Sequence, residues 1–493
     1  MPKIIIREFD KTTAVGTGYS NFSVLVPGFC GKEPAEGTFD ENGVAEFTSV
    51  EEFEKLIGKS AAEEGIIHEA KAADGSDKRI LSFSEFEELV AEGIVYVYPE
   101  TTTEIGYLKD GEYIYTKVDR IEESGSVEYV PAYSASTEYA IIPDNKRGQD
   151  LEYGKHYGNQ IAHELLKLGY TVLFKRLETI ESLTDASFWS PLKDKALYDF
   201  RYVVSGLLSG SSDVDDNMID LATFNNTDSE DAGRGDCTAL LDIDTSTYEG
   251  KTTGEAVLNI AGLKKTASKY AAYFAPCVTY VMKEDADYGD NRTFPASFHY
   301  LACAARASEI YNEWYAIAGY TRGVSNLAIE SVGCNFGDAA VNALEPRRAH
   351  DTLNVAVNLI VKIRGNYYLW GNRTAELLSG EVDGDLKASH FLNIRQLCTS
   401  IKKQVYVACR RFTFDPNSDV LWINFCNAIR PTLEKMKADQ GIQDYKFVKV
   451  ANNSKALLTA KIRIVPIEAV EDFDISLTLE DSVSGTDVKV DEE

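Results

Sequence analysis

The stretch "DTLNVAVNLIVKIRGNYYLWGNRTAE", residues 351–376, decides how this chain is read. Its first half is an apolar passage, a helix or a helix running into a strand. After Gly365, "NYYLWG" reads as an aromatic strand that stops at Gly371. Asn354, Asn358 and the run Trp370-Gly371-Asn372-Arg373-Thr374 stand in this apolar setting. An aromatic strand, a glycine turn and an arginine salt-bridged inside a core are packing marks and not a catalytic set.

Toward the C-terminus follow two long helical patterns, "HFLNIRQLCTSIKKQVYVACRRF" and "SDVLWINFCNAIRPTLEKMKADQG". The second is capped by Ser418 or Asp419 and ends near Gly441. "YKFVKV" and "TAKIRIVPI" read as strands, and "DFDISLTLED" (472–481) alternates strictly, with Phe473, Ile475, Leu477 and Leu479 on one face. Toward the N-terminus, residues 155–345 alternate helical stretches with apolar runs such as "TVLFKRL", "RYVVSGLL", "CTALLDID" and "YAAYFAPCVTYV", the order of an α/β layer on a largely parallel sheet. Residues 60–150 are acidic and rich in Tyr and Thr, with a hairpin expected to turn at Asp110-Gly111. "FSVLVPGFCG" and "TSVEEFEKLIG" form a strand and a helix, and "IIIREF" (4–9) is a strand on a Gly-rich leash, residues 10–21.

A chain of 493 residues is too long for one ordinary core, so roughly two to four domains are expected. A net charge of −28 argues against wrapping nucleic acid, which needs cations on the contact face. The charge is uneven. Residues 1–150 hold 14 Lys/Arg against 30 Asp/Glu, residues 341–467 hold 19 against 11, and residues 468–493 hold 1 against 10. A basic late segment in an acidic protein suits an acidic partner surface. The eight cysteines are scattered with no C-x-x-C, as expected of buried thiols in a reducing cytoplasm. No apolar run approaches a signal peptide or membrane span.

Motifs that carry chemistry fail at their decisive positions. "FEKLIGKS" and "TSTYEGKT" place Phe53 and Thr245 where a phosphate loop needs its first glycine. "HELLK" has Lys167 in place of a second zinc ligand. "DADYGDNRTFPA" has Asp290 and Ala296 where a calcium loop needs Gly and Glu. The six histidines come with no Gly-x-Ser-x-Gly elbow. "SIKKQVYVACRRFTF" reads as a structural helix with a basic outer side. No cofactor or metal is therefore expected. The rival from another class is a cytoplasmic α/β enzyme built on 155–345.

The marks around "WGNRT" continue collinearly through "FLNIRQL", "FDPNSDVLW" with Pro416, Asn417 and Trp422, and "IVPIEAVEDFDISLTL". This series resembles the C-terminal domain of contractile tail sheath proteins of bacteriophages, R-type tailocins and type VI secretion. "FSVLVPGFCGK" and "DNRTFPASFHYLACAARA" look like further family segments, with Pro295 single where relatives have a pair and Asp415 in place of Glu. The resemblance implies a non-enzymatic, α/β and α+β multidomain subunit, with an inner α+β core built from both chain ends and inserted outer α/β domains. The implied divisions are a strand and linker arm over 1–21, part of the core or a first outer domain over 22–60, an acidic outer insertion over 61–150, an α/β domain over 151–345, the C-terminal core over 346–471, and a strand with acidic tail over 472–493.

It further implies stacked hexameric rings of this chain around an inner tail tube, with baseplate and tail terminator proteins as further partners and no nucleic acid contact or membrane insertion. The place would be a virion tail assembled in the bacterial host cytoplasm. Ile4, Ile5, Ile6 and Phe9, with Phe473, Ile475, Leu477 and Leu479, are the expected strand-exchange residues. Lys402, Lys403, Arg410, Arg411, Lys435 and Lys437 are expected to face the tube. Trp370, Gly371, Arg373, Thr374, Pro416, Asn417 and Trp422 are the core family marks.

Overall fold

A computed structural model describes residues 22–30, 34–58, 156–224, 233–263, 265–281, 291–344, 356–376, 386–451, 458–467 and 469, and the backbone alone at 68–69, 104–109, 112–123, 126–131 and 141–142. The strands are β1 (Ser23–Gly28), β2 (Val44–Phe47), β3 (His68–Glu69), β4 (Glu104–Lys109), β5 (Glu112–Glu123), β6 (Ser126–Pro131), β7 (Ile141–Ile142), β8 (Thr171–Arg176), β9 (Tyr202–Val204), β10 (Thr238–Asp242), β11 (Ala271–Ala275), β12 (Val278–Val281), β13 (Asn291–Phe294), β14 (Ile329–Val332), β15 (Val357–Ile363), β16 (Asn366–Trp370), β17 (Ile442–Val450) and β18 (Thr459–Pro466). The principal helices are α1 (Val50–Leu56), α2 (Gly158–Lys167), α3 (Ser212–Ala222), α4 (Thr253–Gly262), α5 (Ala296–Ser308), α6 (Asp338–Leu344), α7 (Leu392–Phe412) and α8 (Asp419–Ala438).

One eight-stranded sheet forms the body, in the order β16-β15-β11-β10-β9-β1-β8-β2. The strands from β8 to β15 run parallel, while β2 and β16 close the two sides antiparallel. Alternate residues feed two cores, because successive side chains of a strand point to opposite faces. Leu25, Val203, Leu241, Tyr273 and Leu359 pack under α3, α4 and α6. Val24, Val204, Leu240, Phe274 and Ile360 pack under α1, α2 and α5. A sheet covered on both faces buries continuous apolar strands, the pattern already visible in "CTALLDID".

The boundary expected at 345/346 does not divide the structure. β15 and β16 lie in the same sheet as β8–β11, and β1, from the segment 22–60, runs down its middle. The passage read as helix or strand is a strand from Val357 onward. "YAAYFAPCVTYV" splits in two, because Pro276 has no N–H to continue a ladder. β11 stays in the large sheet while β12 joins β13 and β14 in a smaller antiparallel one. In the acidic insertion β4, β5 and β6 form an antiparallel meander with Lys109 opposite Glu112; the expected turn residues Asp110 and Gly111 lie outside the described residues.

The C-terminal unit is built on α7 and α8. The first half of α7 is buried in the body, and its second half emerges to pair with α8. Ser418 caps α8 by accepting the Leu421 N–H at 3.3 Å. Leu397, Ile401, Phe425, Ile429, Leu433 and Met436 form its core, and the antiparallel pair β17–β18 covers that core with Tyr445, Phe447, Ile462 and Ile464.

Candidate functional site

In a doubly wound sheet, ligands collect outside the carboxyl ends of the strands where the strand order reverses. Here that point lies at β1, between β8 and β9. Protein atoms fill it. His156 lies beyond the ends of β1 and β9, its ring edge-on to Phe29, its Nε2 donating to Ser205 O at 2.9 Å and its Nδ1 accepting the Gly158 N–H at 3.2 Å. Burial pushes this imidazole down to about 4, which keeps it neutral and able to play both roles. A Cβ on Gly158 would lie 1.9 Å from Pro27 O, and one on Gly28 would lie 2.4 Å from the Phe174 ring. Asn159 Nδ2 donates to Phe29 O at 3.0 Å. At the end of β10, Asp242 accepts the Ser297 N–H at 2.8 Å and its hydroxyl at 2.6 Å. Burial raises this carboxyl to about 7 although the Ser297 bonds pull it down.

A second arrangement looks catalytic in composition only. Tyr280 Oη lies 2.6 Å from His299 Nδ1, and Cys303 Sγ lies 3.4 Å from His299 Nε2. All three side chains are sealed in the core. Desolvation lowers the imidazole to about 3 and raises the thiol, so neither a base nor a thiolate is offered to a substrate. Among the described residues no group of three or more His, Cys, Asp or Glu could hold a metal ion, and no helix is long and apolar enough to cross a membrane.

The "WGNRT" residues form a weld. Gly371 presses on Asn358, where a Cβ would meet the Asn358 Cα at 2.6 Å. Asn358 then donates to Tyr273 O and Arg373 O, both at 3.0 Å, and accepts the Arg373 N–H at 2.7 Å. Asn372 and Asn393 exchange two hydrogen bonds, at 2.8 and 3.0 Å, and Asn393 also donates to Trp314 O at 3.0 Å. Thr374 bonds the backbone at Ser389 and His390. The buried Arg373 guanidinium lies 4.7 Å from the centroid of the Phe391 ring. Trp370 meets Tyr320 edge-on, and Trp422 stacks on Phe425. The Asn372–Asn393 pair, the Thr374 bonds and the Arg373–Phe391 contact fasten the sheet edge β15–β16 to the start of α7.

Lys402 and Lys403 correct the sequence expectation. Both ammonium groups turn inward. Lys402 donates to Gly235 O at 2.8 Å and to the Tyr270 hydroxyl at 3.3 Å, and burial followed by the charge of Arg395 lowers it to about 8. Lys403 bonds Phe200 O at 3.0 Å and the Asp199 carboxylate. Helical spacing misassigned them because the first half of α7 is enclosed on more than one side. Arg201, which sequence reasoning missed, completes this latch by donating to Gln396 O at 2.9 Å and to Ser400 Oγ at 2.6 Å. Arg410, Arg411, Lys435 and Lys437 lie exposed on α7 and α8. The expected terminal strands, with Ile4, Ile5, Ile6 and Phe9 and with Phe473, Ile475, Leu477 and Leu479, fall outside the described residues.

Val407, Phe414, Val420 and Ile423 are exposed around the α7–α8 turn, Phe414 at 96%. Val465 and Ile467 are exposed on and after β18. Among the described residues β17 and β18 pair only with each other, so both outer edges of the hairpin present unpaired backbone groups.

Comparison with protein-family models finds no match, and neither does comparison with curated proteins. Among solved structures, the chain is similar to one in the anti-feeding prophage baseplate, with TM-score 0.54 and 11% identity over 97% of this chain and 99% of that one. The contracted helical sheath of the same prophage gives 0.49 at 12% identity over 97% and 99%. A sheath tail protein from Desulfitobacterium hafniense gives 0.39 at 10% over 94% and 100%. The first likeness establishes a shared fold along nearly the whole of both chains.

Proposed function

We propose that this chain is a structural subunit of a contractile sheath, not an enzyme. It would polymerise as stacked hexameric rings around an inner tube and shorten by subunit rearrangement to drive that tube through a host envelope. The observation that carries the reading is the β17–β18 hairpin, whose strands pair only with each other among the described residues and which is mounted on helices welded to the body. The shared fold with a baseplate chain supports it.

Such a hairpin is an acceptor for strands from other chains, since backbone hydrogen bonds extend a sheet without demanding a shaped pocket. The strand with Ile4, Ile5, Ile6 and Phe9 would come from one neighbour, and the strand with Phe473, Ile475, Leu477 and Leu479 from another. Residues 10–21 would be the leash that lets bodies rotate while the joints hold. Contraction is then a single switch from a metastable extended packing to a shorter and wider one, driven by surface buried between subunits and needing no nucleotide. Arg410, Arg411, Lys435 and Lys437 are the proposed tube-facing cations. Baseplate and terminator proteins would bound the polymer, and the same geometry serves a phage tail or a tailocin.

Negative-stain microscopy of the purified chain tests this, with rings or tubes expected. A chain lacking 472–493 is expected to remain folded and monomeric; long tubes from it refute strand exchange.

A further inference from the structure

Along the hairpin, Tyr445 opposite Ile464 and Phe447 opposite Ile462 face the helices. The residues between them face outward. There Lys446 stands directly opposite Arg463, and Val448 opposite Lys461. All three cations are exposed. Among the described residues none of their side chains has a hydrogen bond or ion pair, while Asp444 on the same face is held by Lys437 Nζ at 3.1 Å. Like charges directly opposite in a sheet destabilise it, so this hairpin is electrostatically incomplete.

Of the two terminal strands, one supplies what is missing. In "DFDISLTLE" (472–480) the period of two that puts Phe473, Ile475, Leu477 and Leu479 on one face puts Asp472, Asp474 and Glu480 on the other. In "KIIIREF" the even positions carry only Glu8, and the odd positions carry Lys3 and Arg7, which would add to the repulsion. We propose that Lys446, Lys461 and Arg463 select the acidic strand 472–480 of another copy of this chain: its apolar face extends the hairpin's inner face over the helices and its carboxylates come to rest beside the three cations. This rests on the strand-exchange reading above and adds to it the residues that choose which strand enters and with which face inward. A strand slipped by one residue would put its acids against the apolar core, so the charges also guard the register.

The test uses three full-length chains, K446E/K461E/R463E, D472K/D474K/E480K and the two sets combined, with sedimentation and negative-stain microscopy as readouts and thermal unfolding to confirm the fold. Each single set is expected to cut the polymerised fraction at least about tenfold, since three attractions become repulsions, and the combined set to restore it. Single sets that polymerise like the parent overturn the proposal and leave the cations as solubilising groups, and so does a combined set that folds but does not recover. A second experiment mixes the hairpin-reversed chain with a chain lacking 472–493. A complex that neither forms alone is expected, and its absence counts against exchange between copies. If the truncated chain forms tubes, the strand-exchange reading fails. If truncation abolishes tubes while charge reversal changes nothing, only the charge selection fails.

Discussion

The body and the C-terminal hairpin unit are built from similar residues and cover their sheets differently. The eight-stranded sheet is covered by helices on both faces, and its outer strands β2 and β16 are antiparallel additions. Its polar groups turn inward to the chain's own partners, as with His156, Asp242, Asn358 and Arg201. The hairpin unit covers one face only, its two strands pair only with each other among the described residues, and it exposes Val420, Ile423, Val465 and the fully projecting Phe414. A sheet covered on both faces is stabilised within its own chain, whereas a hairpin covered on one face has surface left for a further layer or strand.

The strongest way to break this contrast is in the body. Gly158→Ala forces a Cβ against the Pro27 carbonyl and is expected to cost about 3 kcal/mol or more, read by urea unfolding. Asp242→Asn sharpens it through pH. The carboxyl is raised from 3.8 to about 7 in the folded state, so its contribution is fully present below the unfolded value and is lost as pH rises toward 7. Stability of the parent relative to the Asn variant should therefore fall between about pH 4 and 7, with a slope of order 1 kcal/mol per pH unit. A parallel pH dependence in the two chains would contradict this burial. The smallest effect belongs to the exposed unit. Phe414 holds φ 76° with its side chain in solvent. Phe414→Gly should raise unfolding free energy by up to about 1 kcal/mol while weakening assembly, because the residue is strained in the free chain and has work only at a contact.

Much of the body was legible in the chain itself. Apolar runs such as "TVLFKRL" and "CTALLDID" are buried strands because both faces of the sheet are covered, and α8 starts at Ser418 because its side chain accepts an orphan amide. "WGNRT" was read as packing, and its residues do pack. What misled was partition and facing. The sheet takes strands from before residue 30 and after residue 356, a long-range pairing that no local pattern encodes. Lys402 and Lys403 follow a helical stripe whose outside is the inside of the body, so periodicity gave them the wrong surroundings. The latch residue Arg201 had no signal of its own. The cations Lys446, Lys461 and Arg463 had one in their alternation, but their pairing needed the register.

The sequence by itself determined the local elements, the charge contrast between a basic late segment and an acidic tail, and the collinear marks that resemble a contractile sheath. Those follow from backbone period, capping and composition, which act over a few residues. Only the tertiary structure decided that one sheet unites both halves of the chain, that the buried His156 packs beyond the ends of β1 and β9, and which lysines reach solvent. Those depend on which surfaces meet, and a surface becomes inside or outside only when segments hundreds of residues apart close upon each other.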